Sequence, residues 1–61
     1  MKKILIIEDE IDIAELLRTN LIQQGWEIFI ANDGYKAVDI IIKSQPNLIL
    51  LDLGLPYLDG D

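Results

Sequence analysis

Leu48-Ile49-Leu50-Leu51-Asp52 is the stretch of this sequence that decides the fold. An apolar run that ends directly in an acidic residue is typical of a strand buried on both faces, as in a parallel sheet. A second such run, Ile4-Leu5-Ile6-Ile7, lies near the amino terminus and ends in Glu8-Asp9-Glu10. If both runs are neighbouring parallel strands, their carboxylates meet at one edge of the sheet. Because carboxylates at short range repel one another, we expect a cation there.

The rest of the chain predicts an alternation of helices and strands. Apolar residues recur at helical spacing after the first strand, and Gly25 is expected to end that helix in a left-handed conformation. Pro46 ends the second helix, because proline interrupts helical hydrogen bonding. The expected elements are strand Lys3 to Ile7, helix Asp12 to Gln24, strand Trp26 to Ala31, helix Tyr35 to Ser44 and strand Asn47 to Leu51.

The helices are expected to bury apolar stripes and to begin at acidic caps. Asn32 and Asp33 are the candidate caps of the second helix. Glu10, Asp12 and Glu15 are expected to favour the start of the first helix by complementing its dipole. The expected buried positions are Ile13, Leu16, Leu17 and Leu21 in the first helix and Ala37, Val38, Ile41 and Ile42 in the second.

The element order β-α-β-α-β predicts an α/β fold with a parallel sheet. If the second and third strands flank the first, the strand order is 2-1-3, and right-handed crossovers then place one helix on each face. This is the flavodoxin-like arrangement, in which ligands bind at the carboxyl ends of the strands, where the strand order reverses. Glu8, Asp9 and Asp52 are expected at that point.

Composition excludes several classes of function. The 61 residues carry a net charge of -6, which argues against direct nucleic-acid contact or binding to anionic lipid. There is no cysteine and no histidine, so thiolate, zinc-thiolate and imidazole chemistry are excluded for these residues. The apolar runs are too short to span a membrane. We therefore expect a cytoplasmic protein.

The acidic cluster favours a magnesium site. Magnesium takes oxygen ligands and typically uses one or two carboxylates while keeping water. Glu8, Asp9 and Asp52 supply carboxylates, and the backbone carbonyl of Gly54 could supply another oxygen. An ion there would neutralise an incoming phosphoryl group and let Asp52 act as a carboxylate nucleophile. The alternative for Asp52 is a turn-forming aspartate at a strand end.

Three segments carry a family resemblance, and the last is the most specific: residues 4–10 (ILIIEDE), 31–37 (ANDGYKA) and 46–56 (PNLILLDLGLP), followed by Asp59-Gly60. On these segments the chain resembles the amino-terminal half of a response-regulator receiver domain of two-component signalling. The resemblance implies that Asp52 accepts phosphate from a histidine kinase. It also implies that Glu8, Asp9, Asp52 and the Gly54 carbonyl hold Mg²⁺.

The resemblance includes departures. Lys36 stands where an acidic residue is frequent, and Asn47 where aspartate is frequent. A full receiver has about twice as many residues, so residues 1–61 are expected to be an incomplete domain. The third strand would then be a sheet edge, and we expect the isolated chain to self-associate through it or to fold poorly. We also expect the isolated chain to bind Mg²⁺ weakly and to be impaired in phosphotransfer.

Two other functions also fit these residues. An aspartate-nucleophile phosphohydrolase also places a nucleophilic aspartate after a strand. Gly54 disfavours it, because those enzymes carry a second aspartate at this position. An interaction-only module, in which the acidic edge performs no chemistry, is the other alternative. The leading interpretation is a signalling module that is not an enzyme.

Overall fold

The computed structural model describes residues 2–51. Within this range the chain forms three strands and two helices in the predicted order. The elements are β1 (Lys3–Ile7), α1 (Ile11–Gln23), β2 (Glu27–Ala31), α2 (Gly34–Ser44) and β3 (Leu48–Leu51). The predicted bounds of β1 are confirmed. Those of β2, α2 and β3 differ by one residue at the start, and those of α1 differ by one residue at each end.

The sheet is parallel throughout and has the strand order β2-β1-β3. Both the predicted order and the predicted α/β, flavodoxin-like class are confirmed. In the register, Leu5 lies between Phe29 of β2 and Ile49 of β3. At the carboxyl end, Ile7 lies between Ala31 and Leu51.

The core on one face of the sheet lies beneath α2. Leu5, Ala31 and Ala37 are buried there. The partly buried side chains packed against them are Ile7, Phe29, Ile40 and Ile41. Full burial of a leucine side chain contributes roughly 1.5–3 kcal/mol, so this cluster is a main source of stability.

The opposite face of the sheet lies beneath α1. Ile4 and Ile6 alternate with Leu5 along β1, so their side chains point away from α2, and both are almost completely buried. Ala14 is the buried residue of α1, and α1 packs mainly against β2. The predicted placement of the two helices on opposite faces therefore agrees with the burial along β1.

The ends of the helices follow local chemistry. Gly25, just past α1, has a φ of 96°, which glycine adopts without the strain that a Cβ would cause. Asp33 is the N-cap of α2, and its side chain accepts a hydrogen bond from the backbone N–H of Lys36. Gln45 ends α2 with a φ of 51°. The predictions for Gly25 and Asp33 are confirmed.

Some predicted core positions are wrong. Ile13, Leu16, Val38 and Ile42 are exposed rather than buried. The helices instead pack through neighbouring stripes that contain the small residues Ala14, Ala37 and Ser44. The physical reason is that the apolar stripe of each helix is wider than the surface that the helix buries against the described strands. Small residues mark the line of closest approach between helix and sheet.

Candidate functional site

The acidic segment Glu8-Asp9-Glu10 begins at the edge of the sheet formed by the carboxyl ends of the strands. Glu8 directly follows β1, and its backbone N–H donates to the carbonyl of Ala31 at 2.9 Å. This bond extends the β1–β2 pairing by one residue and fixes the position of Glu8 beside the end of β2. On the other side of β1, Ile7 is paired with Leu51, the last residue of β3. Both neighbours of β1 therefore end at the edge where the acidic segment begins.

The side chain of Glu8 is buried, with a relative exposure of 4%. Its Oε2 accepts a hydrogen bond from the backbone N–H of Glu10 at 3.0 Å. Burying a carboxylate costs free energy unless hydrogen bonds or opposite charge compensate it. The bond to Glu10 supplies part of that compensation and holds the carboxylate against the start of α1.

Asp9, in contrast, is exposed. It lies between the last residue of β1 and the N-cap of α1, which is Glu10. A buried carboxylate and an exposed one are therefore adjacent at the sheet edge. Both are oxygen donors of the kind that Mg²⁺ prefers, and two carboxylates fall within its usual number.

The remaining predicted site residues, Asp52 and Gly54, lie outside the described residues. Within residues 2–51, no three acidic side chains come together as a group that could hold a metal ion. The described part of the chain thus contributes two of the four predicted ligands, Glu8 and Asp9. The full ligand set stays a prediction.

A cavity of about 270 Å³ adjoins Glu8 on the α1 side of the sheet. Its lining is mixed apolar and charged: Glu8, Ile11, Ala14, Glu15, Ile30, Asn32 and Lys36. The Glu15 carboxylate is already paired with Arg18 at 2.9 Å. Lys36, one of the two residues that depart from the receiver pattern, lines the same cavity as the buried Glu8.

The expected roles of the other acidic residues are confirmed only in part. Glu10 occupies the N-cap position of α1, but its side chain makes no capping hydrogen bond. Asp12 lies in the first turn of α1, as predicted. Glu15 lies one turn further along and pairs with Arg18 instead of acting at the helix end. Asp39 is exposed and pairs with Lys43 at 3.2 Å.

Sequence reasoning missed a contact that positions β3 against β1. The side-chain Oδ1 of Asn47 accepts from the backbone N–H of Lys3, and the backbone N–H of Asn47 donates to the carbonyl of Lys3. The sequence feature that could have predicted this contact is the polar residue between Pro46 and the apolar run of β3. Asparagine in such a position commonly bonds backbone groups.

Neither described helix has both the length and the apolar character needed to cross a membrane.

Comparison with protein families gives a match over residues 4–61 to the response regulator receiver domain. Receiver domains are typically signalling modules that take phosphate from histidine kinases, and they generally bind Mg²⁺ at the phosphorylation site. The parallel sheet in the order β2-β1-β3 is consistent with the match. The chain belongs to the response regulator receiver domain family.

Proposed function

We propose that this chain is the phosphoacceptor module of a two-component response regulator and that Asp52 receives the phosphoryl group from a histidine kinase. The observation that supports this most strongly is the register between β1 and β3, in which Ile7 pairs with Leu51. An acidic residue follows each of these two in the sequence, Glu8 after Ile7 and Asp52 after Leu51. In the proposed reaction an Asp52 carboxylate oxygen bonds to phosphorus as the bond between phosphorus and the kinase histidine breaks.

The proposed metal ligands are Glu8, Asp9, Asp52 and the backbone carbonyl of Gly54. The hydrogen bond from the Glu10 N–H holds the Glu8 carboxylate in place, while the exposed Asp9 carboxylate is open to solvent. A bound Mg²⁺ supplies positive charge that offsets the negative charge of the phosphoryl oxygens. Glu8 and Asp9 act by holding the ion and do not react themselves.

The proposed cellular setting follows from the same chemistry. The partner is the phosphohistidine of a kinase, and this segment makes no direct contact with nucleic acid or membrane, consistent with its net charge of -6. We place the protein in the cytoplasm, and its role is signalling without enzymatic turnover. Residues 1–61 form the amino-terminal half of the receiver in this proposal.

A phosphorylation assay tests the role of Asp52. The protein is incubated with acetyl phosphate and Mg²⁺, and its intact mass is measured with and without hydroxylamine, which cleaves acyl phosphates. Because phosphotransfer by residues 1–61 alone is expected to be impaired, we expect a hydroxylamine-sensitive gain of one phosphoryl group in only a fraction of the unmodified protein. Asp39→Asn should gain the same fraction, since Asp39 is an exposed carboxylate on α2. Asp52→Ala should show no gain. A labile phosphoryl group on Asp52→Ala would exclude Asp52 as the acceptor.

We further propose that the 61-residue chain self-associates through β3. Leu48, Ile49 and Leu51 are 45%, 43% and 59% exposed. β1 is the one strand paired with β3 among residues 2–51. An exposed apolar strand with an open edge is prone to pair with another chain. Sedimentation of the 61-residue chain at high micromolar concentration tests this, and a well-folded monomer would contradict it.

A further inference from the structure

Lys36 differs from the other basic residues in what its side chain contacts. Three of the five basic side chains of the chain have partners among residues 2–51: Arg18 with Glu15, Lys43 with Asp39, and Lys3 with the carbonyl of Ser44. Lys2 precedes β1 and therefore lies at the amino end of the strands, away from the acidic segment. No carboxylate of residues 2–51 forms an ion pair with Lys36.

The local chemistry of α2 does not favour a lysine at position 36. Lys36 is the third residue of the helix, and its backbone N–H donates to the side chain of the N-cap Asp33. The start of a helix carries partial positive charge, so a cation in the first turn is unfavourable. A glutamate or glutamine at this position can accept a hydrogen bond from the N-cap N–H, whereas a lysine ammonium can only donate. The helix therefore gives no reason for the positive charge.

Lys36 and Glu8 line the same cavity, on the side of the sheet that carries α1. Ile6 lies opposite Ile30 in the register, and side chains two residues apart along a strand point to the same face. Glu8 follows Ile6 by two residues and extends this row to the carboxyl edge. Because α2 begins three residues after β2 ends, its first turn lies at the same edge and brings Lys36 to the cavity.

The lining of the cavity contains two carboxylates and one ammonium. The Glu15 carboxylate is paired with Arg18, which offsets its charge. The positive charge of Lys36 therefore acts on the edge at Glu8, whose side chain is only 4% exposed and is screened less by salt than an exposed group. An ammonium at this edge stabilises the metal-free carboxylate and repels a divalent cation bound beside it. Both effects oppose metal binding.

We propose that Lys36 lowers the affinity of the magnesium site by placing a positive charge at the cavity that adjoins Glu8. The inference rests on the magnesium site proposed above and names a residue that sets its strength. Lys36 is not a ligand, because an ammonium group has no lone pair to offer a metal ion. It acts on the ion and on Glu8 through its charge alone.

Magnesium titration of three variants tests this role, followed by the amide NMR shifts of residues 8–10. Lys36→Gln removes the charge and should tighten Mg²⁺ binding roughly two- to tenfold, since an exposed charge pair corresponds to a few-fold change in affinity and the ion carries two charges. Lys43→Gln is the matched control, because it changes the net charge equally but removes a lysine that pairs with Asp39. Lys36→Arg retains the charge. Both should bind Mg²⁺ as the unmodified protein does.

Salt dependence adds a readout that a purely structural role of Lys36 would not change. The difference between Lys36→Gln and Lys43→Gln should shrink between about 0.1 M and about 1 M KCl, where the Debye length falls from about 10 Å to about 3 Å. Equal affinities of these two variants at low salt, or weaker binding by Lys36→Gln, would overturn the inference and leave the magnesium site in place. If no variant shows Mg²⁺-dependent shifts, the magnesium site is rejected together with the inference.

Discussion

Asn47 and Lys3 are joined by two hydrogen bonds across the start of the β1–β3 pair. The backbone N–H of Asn47 donates to the Lys3 carbonyl at 2.8 Å, and the Asn47 Oδ1 accepts from the Lys3 N–H, also at 2.8 Å. Because every side chain in β3 is apolar, burial alone does not distinguish one register from the next. The Asn47 side chain favours the observed register, and that register pairs Ile7 with Leu51.

Replacing Asn47 tests this contact. Asn47→Ala removes the side-chain acceptor and should lower the free energy of unfolding by about 1 kcal/mol, the typical net contribution of one hydrogen bond. Asn47→Asp is the matched control, because it retains an oxygen at the accepting position and should stay within about 0.5 kcal/mol of the parent. Urea denaturation measures both. Equal losses in the two variants would show that the Oδ1 acceptor is not responsible.

The proposed magnesium site predicts a difference between two neighbouring aspartates. Asp9→Asn should weaken Mg²⁺ binding by roughly tenfold or more, since even the loss of an outer-shell partner costs about that much. Asp12→Asn changes the charge equally in the first turn of α1 and should have a smaller effect. Titration followed by the amide NMR shifts of residues 8–10 measures both affinities. Equal affinities, or no Mg²⁺-dependent shifts in the unmodified protein, would contradict the ligand assignment.

The two described glycines should respond in opposite directions to the same substitution. Neither has an atom within 4 Å of an added Cβ, but Gly25 has a φ of 96°. Gly25→Ala should therefore destabilise the fold by roughly 1–2 kcal/mol through backbone strain alone. Gly34→Ala, at the first position of α2, should be neutral or stabilising by up to about 1 kcal/mol. Thermal unfolding of both variants checks the prediction, which would fail if Gly25→Ala matched the parent.

Leu5 and Leu16 both belong to apolar patterns that predict burial, but only Leu5 is buried in the structure. Leu5 is completely buried in the core beneath α2, whereas Leu16 on α1 is 63% exposed. Leu5→Ala should cost about 2–5 kcal/mol, because it removes packed methyl groups and leaves a cavity. Leu16→Ala should change the free energy of unfolding by about 0.5 kcal/mol or less. A large loss for Leu16→Ala would show that this side chain is covered in solution, for example by another chain.

Asp33 should stabilise α2 through its capping bond to Lys36, which measures 2.8 Å. Asp33→Ala should cost about 1 kcal/mol. Asp39→Ala removes an exposed carboxylate from the same helix and breaks its surface pair with Lys43, a change worth about 0.5 kcal/mol or less. Urea unfolding compares the two. A loss for Asp39→Ala equal to that for Asp33→Ala would attribute the effect to charge instead of capping.

The sequence predicts the elements well and the packing of the helices less well. The unbroken apolar runs of β1 and β3 identify buried parallel strands, and Gly25 and Asp33 mark helix ends by local chemistry. The predicted burial of Leu16 and Val38 is wrong. Apolar periodicity shows only which broad side of a helix is apolar. It does not show which stripe of that side contacts the sheet. Ala14 and Ala37 mark that stripe.

The sequence likewise predicts the position of the candidate site better than its side-chain contacts. The placement of Glu8 at the sheet edge follows from the strand that precedes it. The burial of its carboxylate and the bond from Glu10 depend on how α1 begins, which the pattern does not specify. The link between Asn47 and Lys3 joins residues 44 positions apart, and single-sequence reasoning on local spacing has no access to such a contact.

All three strands run in one direction, so every carboxyl end lies on the same rim of the sheet. Glu8 and Asp9 follow β1 directly and therefore lie on the rim where β2 and β3 also end. The opposite rim carries the bonds between Lys3 and Asn47, which fix the β1–β3 register. Substitutions at Lys3 or Asn47 should therefore change the stability of the fold more than the affinity for a ligand at Glu8 and Asp9.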